Sequence, residues 1–229
     1  MSAPLRRTSG RRTGAPASEG RERLLDAAVA LFAERGIANT TVAQIAEAGG
    51  VTSAMVHYWF DTRDHLLEAI AEERLAPLFH DIWDPVDARH GAPLEVVRGI
   101  VHRMLEVTER QAWLPSLWLR EIVNEGGLLR EQALSRIPVR RVADFGQNIA
   151  RGKAGGQVNR DIEPLLLFNS ILAVVMLPQA TARIWLRMNP ALKLDRNTLE
   201  RHVTALLMNG IAGNAADGTP HPRLSGRPS

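Results

Sequence analysis

Apolar residues recur every three or four positions along most of this 229-residue chain. That spacing places them on one face of an α-helix, whereas a half-buried β-strand needs strict alternation of apolar and polar residues. The sequence contains no alternating run of useful length. With 45% hydrophobic residues, the chain can build a core without disulfide or metal staples. We therefore predict an all-α fold.

Glycines and prolines divide this helical pattern into segments. Gly49 and Gly50 separate two short predicted helices. The first has an N-cap at Thr40–Thr41, and the second, capped by Thr52 or Ser53, runs from about Ser53 to Trp59. Prolines and glycines between residues 80 and 93 predict a turn-rich connection to further helices. The predicted parts are a disordered basic arm over 1–19, a three-helix domain over 20–66, a larger helical domain over 67–213 and a disordered tail over 214–229.

A long apolar segment lies near the C-terminus. It runs from about Ile162 to Met188, and we predict a bend at Pro178, where the backbone lacks an N–H donor. Its most apolar part, Leu165 to Leu177, is shorter than the roughly 20 residues that a bilayer requires. We therefore predict a buried helix and no membrane contact.

The sequence offers little chemistry for catalysis. Cysteine is absent, which excludes disulfides, thiolate zinc sites and a cysteine nucleophile and fits a reducing compartment, so we expect a cytoplasmic chain. No G-x-S-x-G, Walker-type phosphate loop or H-E-x-x-H is present, and we expect neither enzymatic activity nor a cofactor. His57, Asp61 and His65 have the spacing of helical metal ligands, but a predicted turn at Asp61 separates the two histidines, so no metal is expected.

Two short helices joined by a glycine-containing turn describe a helix-turn-helix. The residues around this turn also resemble a known family, over about residues 21–70. They are similar to the TetR/AcrR signature, in which T-x-x-x-I-A is followed by A-G-V-S, an aromatic cluster ending in Phe, and a polar turn into an L-L helix. The segments that carry the resemblance are Thr41 to Ala46, Gly50 to Ser53, His57 to Phe60 and Arg63 to Leu67.

The resemblance implies a homodimeric transcriptional regulator with two domains. The N-terminal helix-turn-helix domain would bind operator DNA, and the C-terminal helical domain would bind a ligand and dimerise. The two recognition helices of the dimer would enter successive major grooves of a pseudo-palindromic operator. The expected function is that of a repressor, released from its operator by a small, mostly apolar effector.

The DNA-reading surface is predicted on the second short helix. It faces away from Val56 and Phe60, an i, i+4 pair that we expect to be buried. In similar proteins the positions of Thr41 and Thr52 meet phosphates, the second aromatic residue of the cluster reaches the DNA backbone, and the Arg63 position supplies a cation. The predicted DNA-contacting residues are Thr41, Ala43, Gln44, Thr52, Ser53, Ala54, Met55, His57, Tyr58 and Arg63.

This segment departs from the family pattern. Ala43 occupies a position that is often basic. Ala54 and Met55 stand where Gly and Thr are usual, and His57 stands where Tyr is usual. No Lys or Arg lies between residues 41 and 60, which excludes a bidentate arginine–guanine contact from this segment. We expect recognition through thymine methyls, hydroxyl contacts and DNA shape.

The N-terminal arm concentrates positive charge. Residues 1–23 contain six arginines and two glutamates, a net charge of +4 against +3 for the whole chain. A Gly/Ser/Thr/Pro-rich basic segment of this kind suits contact with phosphates or the minor groove. A tail that only improves solubility is an equal alternative.

In the family that this chain resembles, the middle C-terminal helices enclose an effector and the last two form a dimer interface. The long apolar segment fits this interface, because a helix apolar on nearly every face needs cover from its own domain and from a second protomer. An activator or an architectural dimer without an effector remains the alternative. The predicted pocket residues are His102, Met104, Leu105, Glu106, Trp118, Arg120, Glu121, Ile122, Phe145, Phe168, Asn169, Leu172 and Met176.

Overall fold

The structure, a computed structural model, describes residues 17–212. Most of the predicted basic arm (residues 1–16) and the whole predicted tail lie outside the described residues. Within 17–212 the chain forms α-helices, two short π-helical segments and one isolated bridge between Val158 and Ala212. The predicted all-α class is confirmed.

The helices follow one another with short connections. A π-helical segment, Ala71–Leu75, joins α4 to α5, and a second, Trp118–Val123, follows α7. In chain order the described α-helices are α1 (Ala17–Arg35), α2 (Val42–Gly49), α3 (Ser53–Phe60), α4 (Arg63–Ile70), α5 (Ala76–Trp83), α6 (Pro93–Arg110), α7 (Leu114–Leu117), α8 (Arg130–Leu134), α9 (Val139–Ala154), α10 (Pro164–Ala180), α11 (Ala182–Met188) and α12 (Arg196–Ile211).

The described chain divides into two compact units. Residues 17–77 and 116–136 form the first, which we call the N-terminal unit, and residues 78–115 and 137–212 form the C-terminal unit. The sequence did not predict that residues 116–136, far along the chain, pack with the N-terminal helices. The domain boundary between residues 66 and 67 stays a prediction.

Side-chain caps fix the start of three helices in the N-terminal unit. Thr41, Thr52 and Thr62 cap α2, α3 and α4, and each accepts a hydrogen bond from the N–H of the third residue of its helix. At α2 the Gln44 side chain accepts a bond from the Thr41 N–H at 2.8 Å, which completes a capping box. Because these signals are local, the sequence predicted the bounds of α2 and α3 to within about one residue.

The two glycines that end α2 serve different purposes. A Cβ atom at Gly49 would lie 3.0 Å from the Cα of Leu24, so the close approach of α1 and α2 requires a residue without a side chain. Gly50 has no atom within 4 Å of such a Cβ, but its φ of +67° lies in the left-handed region that favours glycine. The first glycine permits packing, and the second permits the turn.

Ion pairs tie α1 to the helix that leaves the helix-turn-helix. Arg74, in the π-helical segment Ala71–Leu75, contacts Glu22 at 2.6 Å and Asp26 at 2.8 Å. These pairs supplement an apolar core between α1 and its neighbours, because exposed ion pairs alone add little stability. The largest fully buried side chains of this unit include Leu24, Leu25, Phe32, Ile37, Ile45, Leu66 and Ile70.

The C-terminal unit is built around α6. This helix packs against α9, α10 and α12, and its inward side chains are completely buried. An apolar stripe at three- and four-residue spacing explains this burial, as predicted from the sequence. The core of the unit includes Val97, Ile100, Met104, Phe145, Ile149, Ile171, Val175 and Val203.

The bend in the long apolar segment is displaced from its predicted position. Pro178 lies inside α10, and the bend of 60° falls at Thr181, between α10 and α11. Gln179, the residue after the proline, donates a side-chain hydrogen bond to the Val175 carbonyl at 2.8 Å. In residues 17–212 no single helix is long and apolar enough to cross a membrane, and only α10 and α11 taken together would be.

Candidate DNA interface and ligand-binding residues

Helix α3 presents one buried and one exposed side. Val56 and Phe60 point into the N-terminal unit and are buried, as the sequence predicted. Tyr58 is 84% exposed, which is unusual for a large aromatic side chain and leaves it without a role in the core of the chain. The remaining predicted contact residues of this helix are also exposed: Thr52, Ser53, Ala54, Met55 and His57.

The capping threonines of α2 and α3 each keep a hydroxyl proton that can be donated to a ligand. The hydroxyl oxygens of Thr41 and Thr52 accept bonds from the N–H groups of Gln44 and Met55, each at 3.3 Å. Each hydroxyl still carries a proton that it can donate to an anion such as a phosphate. Ala43 is exposed on the first turn of α2, beside these groups.

Arg63 lies at the start of α4 with its guanidinium turned toward the α1–α2 turn. Its Nη2 donates to the backbone carbonyls of Ile37 and Thr40, the second at 3.1 Å. The sequence did not predict this structural use of the side chain. A phosphate contact by the remaining guanidinium N–H groups stays a prediction.

Arg21 is engaged inside the N-terminal unit. Its guanidinium binds the Glu73 carboxylate through two bonds, one of them 2.6 Å between Nη2 and Oε1, and lies 5.0 Å above the Phe60 ring. This hydrogen bonding raises the pKa of Arg21 and lowers the pKa of Glu73. One of the six arginines counted in the basic N-terminal region is therefore already paired, and the charge that remains for DNA is smaller than the sequence suggests.

The predicted pocket residues fall in both units. Trp118, Arg120, Glu121 and Ile122 belong to the N-terminal unit, and the others belong to the C-terminal unit. In the C-terminal unit, Phe145 and Phe168 lie together, with ring centroids 6.1 Å apart. Trp83 completes a three-ring cluster, 6.1 Å from Phe145 and 5.0 Å from Phe168. The sequence reasoning missed Trp83 because it lay in a stretch predicted as turn-rich.

Two of the polar residues predicted for the pocket, His102 and Glu106, bind partners at the surface of α6. His102 Nδ1 lies 2.8 Å from Glu200 Oε1, which joins α6 to α12. Glu106 accepts a bond from Arg103 at 2.8 Å, and Asn169 is exposed. Met104, Leu105 and Met176 are buried and Leu172 is half-buried, so the apolar members are the ones that the fold brings inward.

A polar cavity of about 640 Å³ opens at the start of α6 in the C-terminal unit. None of the predicted pocket residues lines this cavity. Its walls are Arg89, His90, Gly91, Ala92, Pro93, Asn148, Arg151, Gly152 and Gln157.

The three residues with the spacing of helical metal ligands do not share one helix. His57 lies in α3 and His65 lies in α4, with Asp61 in the turn between them. The described part of the chain contains no group of three or more His, Asp or Glu residues arranged to hold a metal ion.

A short capped helix followed by a second with a solvent-facing reading side defines the helix-turn-helix class of DNA-binding proteins. The family model described as bacterial regulatory proteins, tetR family, matches residues 24–70. The transcriptional regulator SrpR of Pseudomonas putida is 38% identical over 144 residues, which cover 52% of this chain and 68% of SrpR. The chain belongs to the tetR family of bacterial transcriptional regulators.

Solved structures of regulators share a fold with most of this chain. The ketosteroid regulator KstR2 of Mycobacterium tuberculosis superposes with a TM-score of 0.63 at 20% identity, covering 86% of this chain and 96% of KstR2. FadR of Bacillus subtilis, solved in complex with stearoyl-CoA, superposes with a TM-score of 0.62 at 18% identity, covering 83% of this chain and 99% of FadR. At these identities the likeness shows the fold.

Proposed function

We propose that this protein is a cytoplasmic, homodimeric repressor that binds a specific operator and is released from it by a small, mostly apolar effector. The exposed side of α3 is the observation that carries the proposal. A capped helix with small, hydroxyl and aromatic side chains facing solvent is suited to entry into a major groove. DNA binding follows from the family, whereas the operator contacts, the repressor role, the effector and the dimer are our proposals.

The composition of α2 and α3 indicates how the operator is read. Since residues 42–59 contain no Lys or Arg, base contacts come from apolar groups and hydroxyls. Ala54 and Met55 are exposed at the start of α3 and can contact thymine methyls. Phosphate contacts come from the capping threonines, from Tyr58 and from cations outside the motif. Such an interface reads apolar groove features and DNA shape more than guanine edges.

Tyr58→Ala tests the proposed DNA interface. We expect operator affinity to fall about tenfold, which corresponds to about 1.4 kcal/mol, because the phenol contacts the DNA backbone. The melting temperature should stay unchanged, since Tyr58 is exposed. Fluorescence anisotropy with labelled DNA from upstream of the protein's own gene measures the affinity. Val139→Ala, another exposed apolar residue but in α9, is the matched control. Wild-type affinity for Tyr58→Ala would remove α3 from the interface.

The C-terminal unit offers an apolar environment for an effector. Trp83, Phe145 and Phe168 form the three-ring cluster, and Phe168 is only half-buried, so a ligand can reach this edge of the cluster. Aromatic and methionine side chains suit ligands that are large and mostly hydrocarbon. FadR, with the same fold, binds stearoyl-CoA, and this supports an apolar effector for the present chain.

A release assay tests the effector. We expect at least one apolar probe among stearoyl-CoA, a free fatty acid and a ketosteroid to weaken the operator complex about tenfold, a coupling typical of allosteric proteins. Phe168→Ala should bind the operator normally but respond less to that probe. Anisotropy of the preformed complex during probe titration provides the readout. A complex that withstands every probe, with wild type and variant alike, would favour an architectural dimer or an activator without an effector.

Apolar side chains left exposed on α10, α11 and α12 support the homodimer. These helices lie near one another in sequence and carry a concentration of apolar groups that a monomer rarely exposes. A second copy of the chain would cover them and form a helix bundle. The exposed members are Leu165, Leu166, Leu177, Ile184, Trp185, Leu186, Met188 and Leu206.

A further inference from the structure

Glu121 is a buried carboxylate that binds backbone rather than another side chain. It lies in the π-helical segment Trp118–Val123 and is only 6% exposed. Its Oε1 accepts a hydrogen bond from the Ile37 N–H at 3.0 Å, and its Oε2 accepts one from the Leu128 N–H at 3.3 Å. Burial of a carboxylate is costly unless its oxygens are paired, and here both oxygens are used. The carboxylate therefore joins the α1–α2 turn to a segment 84 residues further along the chain.

The turn is shaped to receive this carboxylate. Gly36 precedes Ile37 and has a φ of +86°, a left-handed conformation that other residues rarely adopt. A Cβ atom at this position would lie 3.2 Å from Glu121 Oε1 and 3.3 Å from Arg120 Cδ. The backbone conformation thus favours glycine, and the nearby side chains of the π-helical segment leave little room for a Cβ atom.

The Arg63 side chain binds the backbone carbonyl of Ile37, the same residue whose N–H Glu121 binds. Arg63 donates to the carbonyl oxygens of Ile37 and Thr40, while Glu121 accepts from the Ile37 N–H. Both backbone polar groups of Ile37 are thereby held by the side chains of an arginine and a glutamate. The chain then enters α2, whose capping residue, Thr41, lies four residues after Ile37.

The segment that carries Glu121 is itself fixed at its end. Arg130 donates from Nε to the Ile122 carbonyl at 2.9 Å and from Nη2 to the Val123 carbonyl at 2.8 Å. These bonds satisfy carbonyl groups that the end of a helix leaves unpaired. Because the segment is anchored in this way, Glu121 offers the turn a rigid acceptor.

We propose that Glu121 is a positioning residue for DNA binding: its carboxylate sets the α1–α2 turn and so places Thr41 and the start of α2 against the operator. The inference rests on the proposed DNA interface. It also assigns Glu121 a task different from the effector contact expected from the sequence. The carboxylate acts through the turn and touches no DNA.

Glu121→Gln tests the proposal, with Glu125→Gln as a charge-matched control. The Ile37 and Leu128 N–H groups bond different carboxylate oxygens, and in glutamine an NH2 group replaces one of them, so one N–H loses its acceptor and the other keeps only a neutral one. We expect Glu121→Gln to lower operator affinity about tenfold and to speed hydrogen exchange at the Ile37 amide about tenfold. Glu125 is exposed in the following turn, and its replacement should leave affinity within about twofold or raise it slightly, since a negative charge is removed. A positioning role for Glu121 therefore predicts that Glu121→Gln lowers operator affinity, whereas simple charge repulsion predicts that it raises operator affinity.

Anisotropy, exchange measured by mass spectrometry and the melting temperature separate the outcomes. Lower affinity together with faster exchange in Glu121→Gln alone supports the proposal. Equal affinities for the two variants, or unchanged exchange at Ile37, overturn it. Faster exchange with wild-type affinity also overturns it, because the carboxylate would then be structural only. Tyr58→Ala measured in parallel reports on the DNA interface independently, so failure of that interface is recognised separately.

Discussion

Val175→Glu is expected to prevent the C-terminal unit from folding. Val175 lies in α10 and is completely buried within a single chain, among residues of the α6 core. An unpaired buried charge costs about 3–5 kcal/mol, which approaches the total stability of about 5–15 kcal/mol of a typical domain. Urea unfolding followed by circular dichroism measures the loss.

Val139→Glu is the matched control for this prediction. It places the same charge in the same unit, but Val139 is 70% exposed in α9 and lies outside the proposed dimer surface. The control should therefore remain folded, with an unfolding midpoint close to that of the wild type. A cooperative transition at the wild-type urea concentration for Val175→Glu would show that the valine is not part of the core.

Joint replacement of Leu166 and Leu206 by glutamate is expected to give a folded monomer with very weak operator binding. These residues are 61% and 53% exposed on α10 and α12, so their replacement does not disturb the core of one chain. Two carboxylates placed on the proposed dimer surface repel their copies across it. Operator affinity should fall about a hundredfold, because each monomer then binds one half-site without the gain from a linked second site.

Sedimentation velocity distinguishes this monomer from the dimer, and anisotropy gives the operator affinity. Val139→Glu, an exposed position in α9, introduces a charge away from the proposed surface and should leave the dimer intact. A dimer that persists in the double variant would place the interface elsewhere on the chain.

Local signals in the sequence predicted the helix-turn-helix well. Thr41, Gly50 and Thr52 form hydrogen bonds to residues at most four positions away. The helix ends that they define can therefore be predicted from the local sequence. The burial of Val56 and Phe60 followed from their i, i+4 spacing in the same way. Caps and apolar spacing are therefore sufficient to place α2 and α3 and to identify the exposed side of α3.

Long-range polar contacts could not be predicted from the sequence. Arg21 and Glu73 are 52 positions apart, and Glu121 and Ile37 are 84 apart, so no local sequence pattern indicates either bond. Glu121 was consequently interpreted as an effector contact because it alternates with apolar residues. The π-helical segments escaped prediction for a related reason, since the wide turn is sustained by tertiary contacts rather than by a residue preference.

The π-helical segment Ala71–Leu75 has a consequence for insertions and deletions. A π turn holds one residue more than an α turn, so the loss of one residue here restores a regular helix and leaves α4 and α5 in their original register. The same deletion in the middle of α6 would rotate every later side chain by about 100° and turn the apolar stripe out of the core. We therefore expect a one-residue deletion to be better tolerated in the segment Ala71–Leu75 than in the middle of α6.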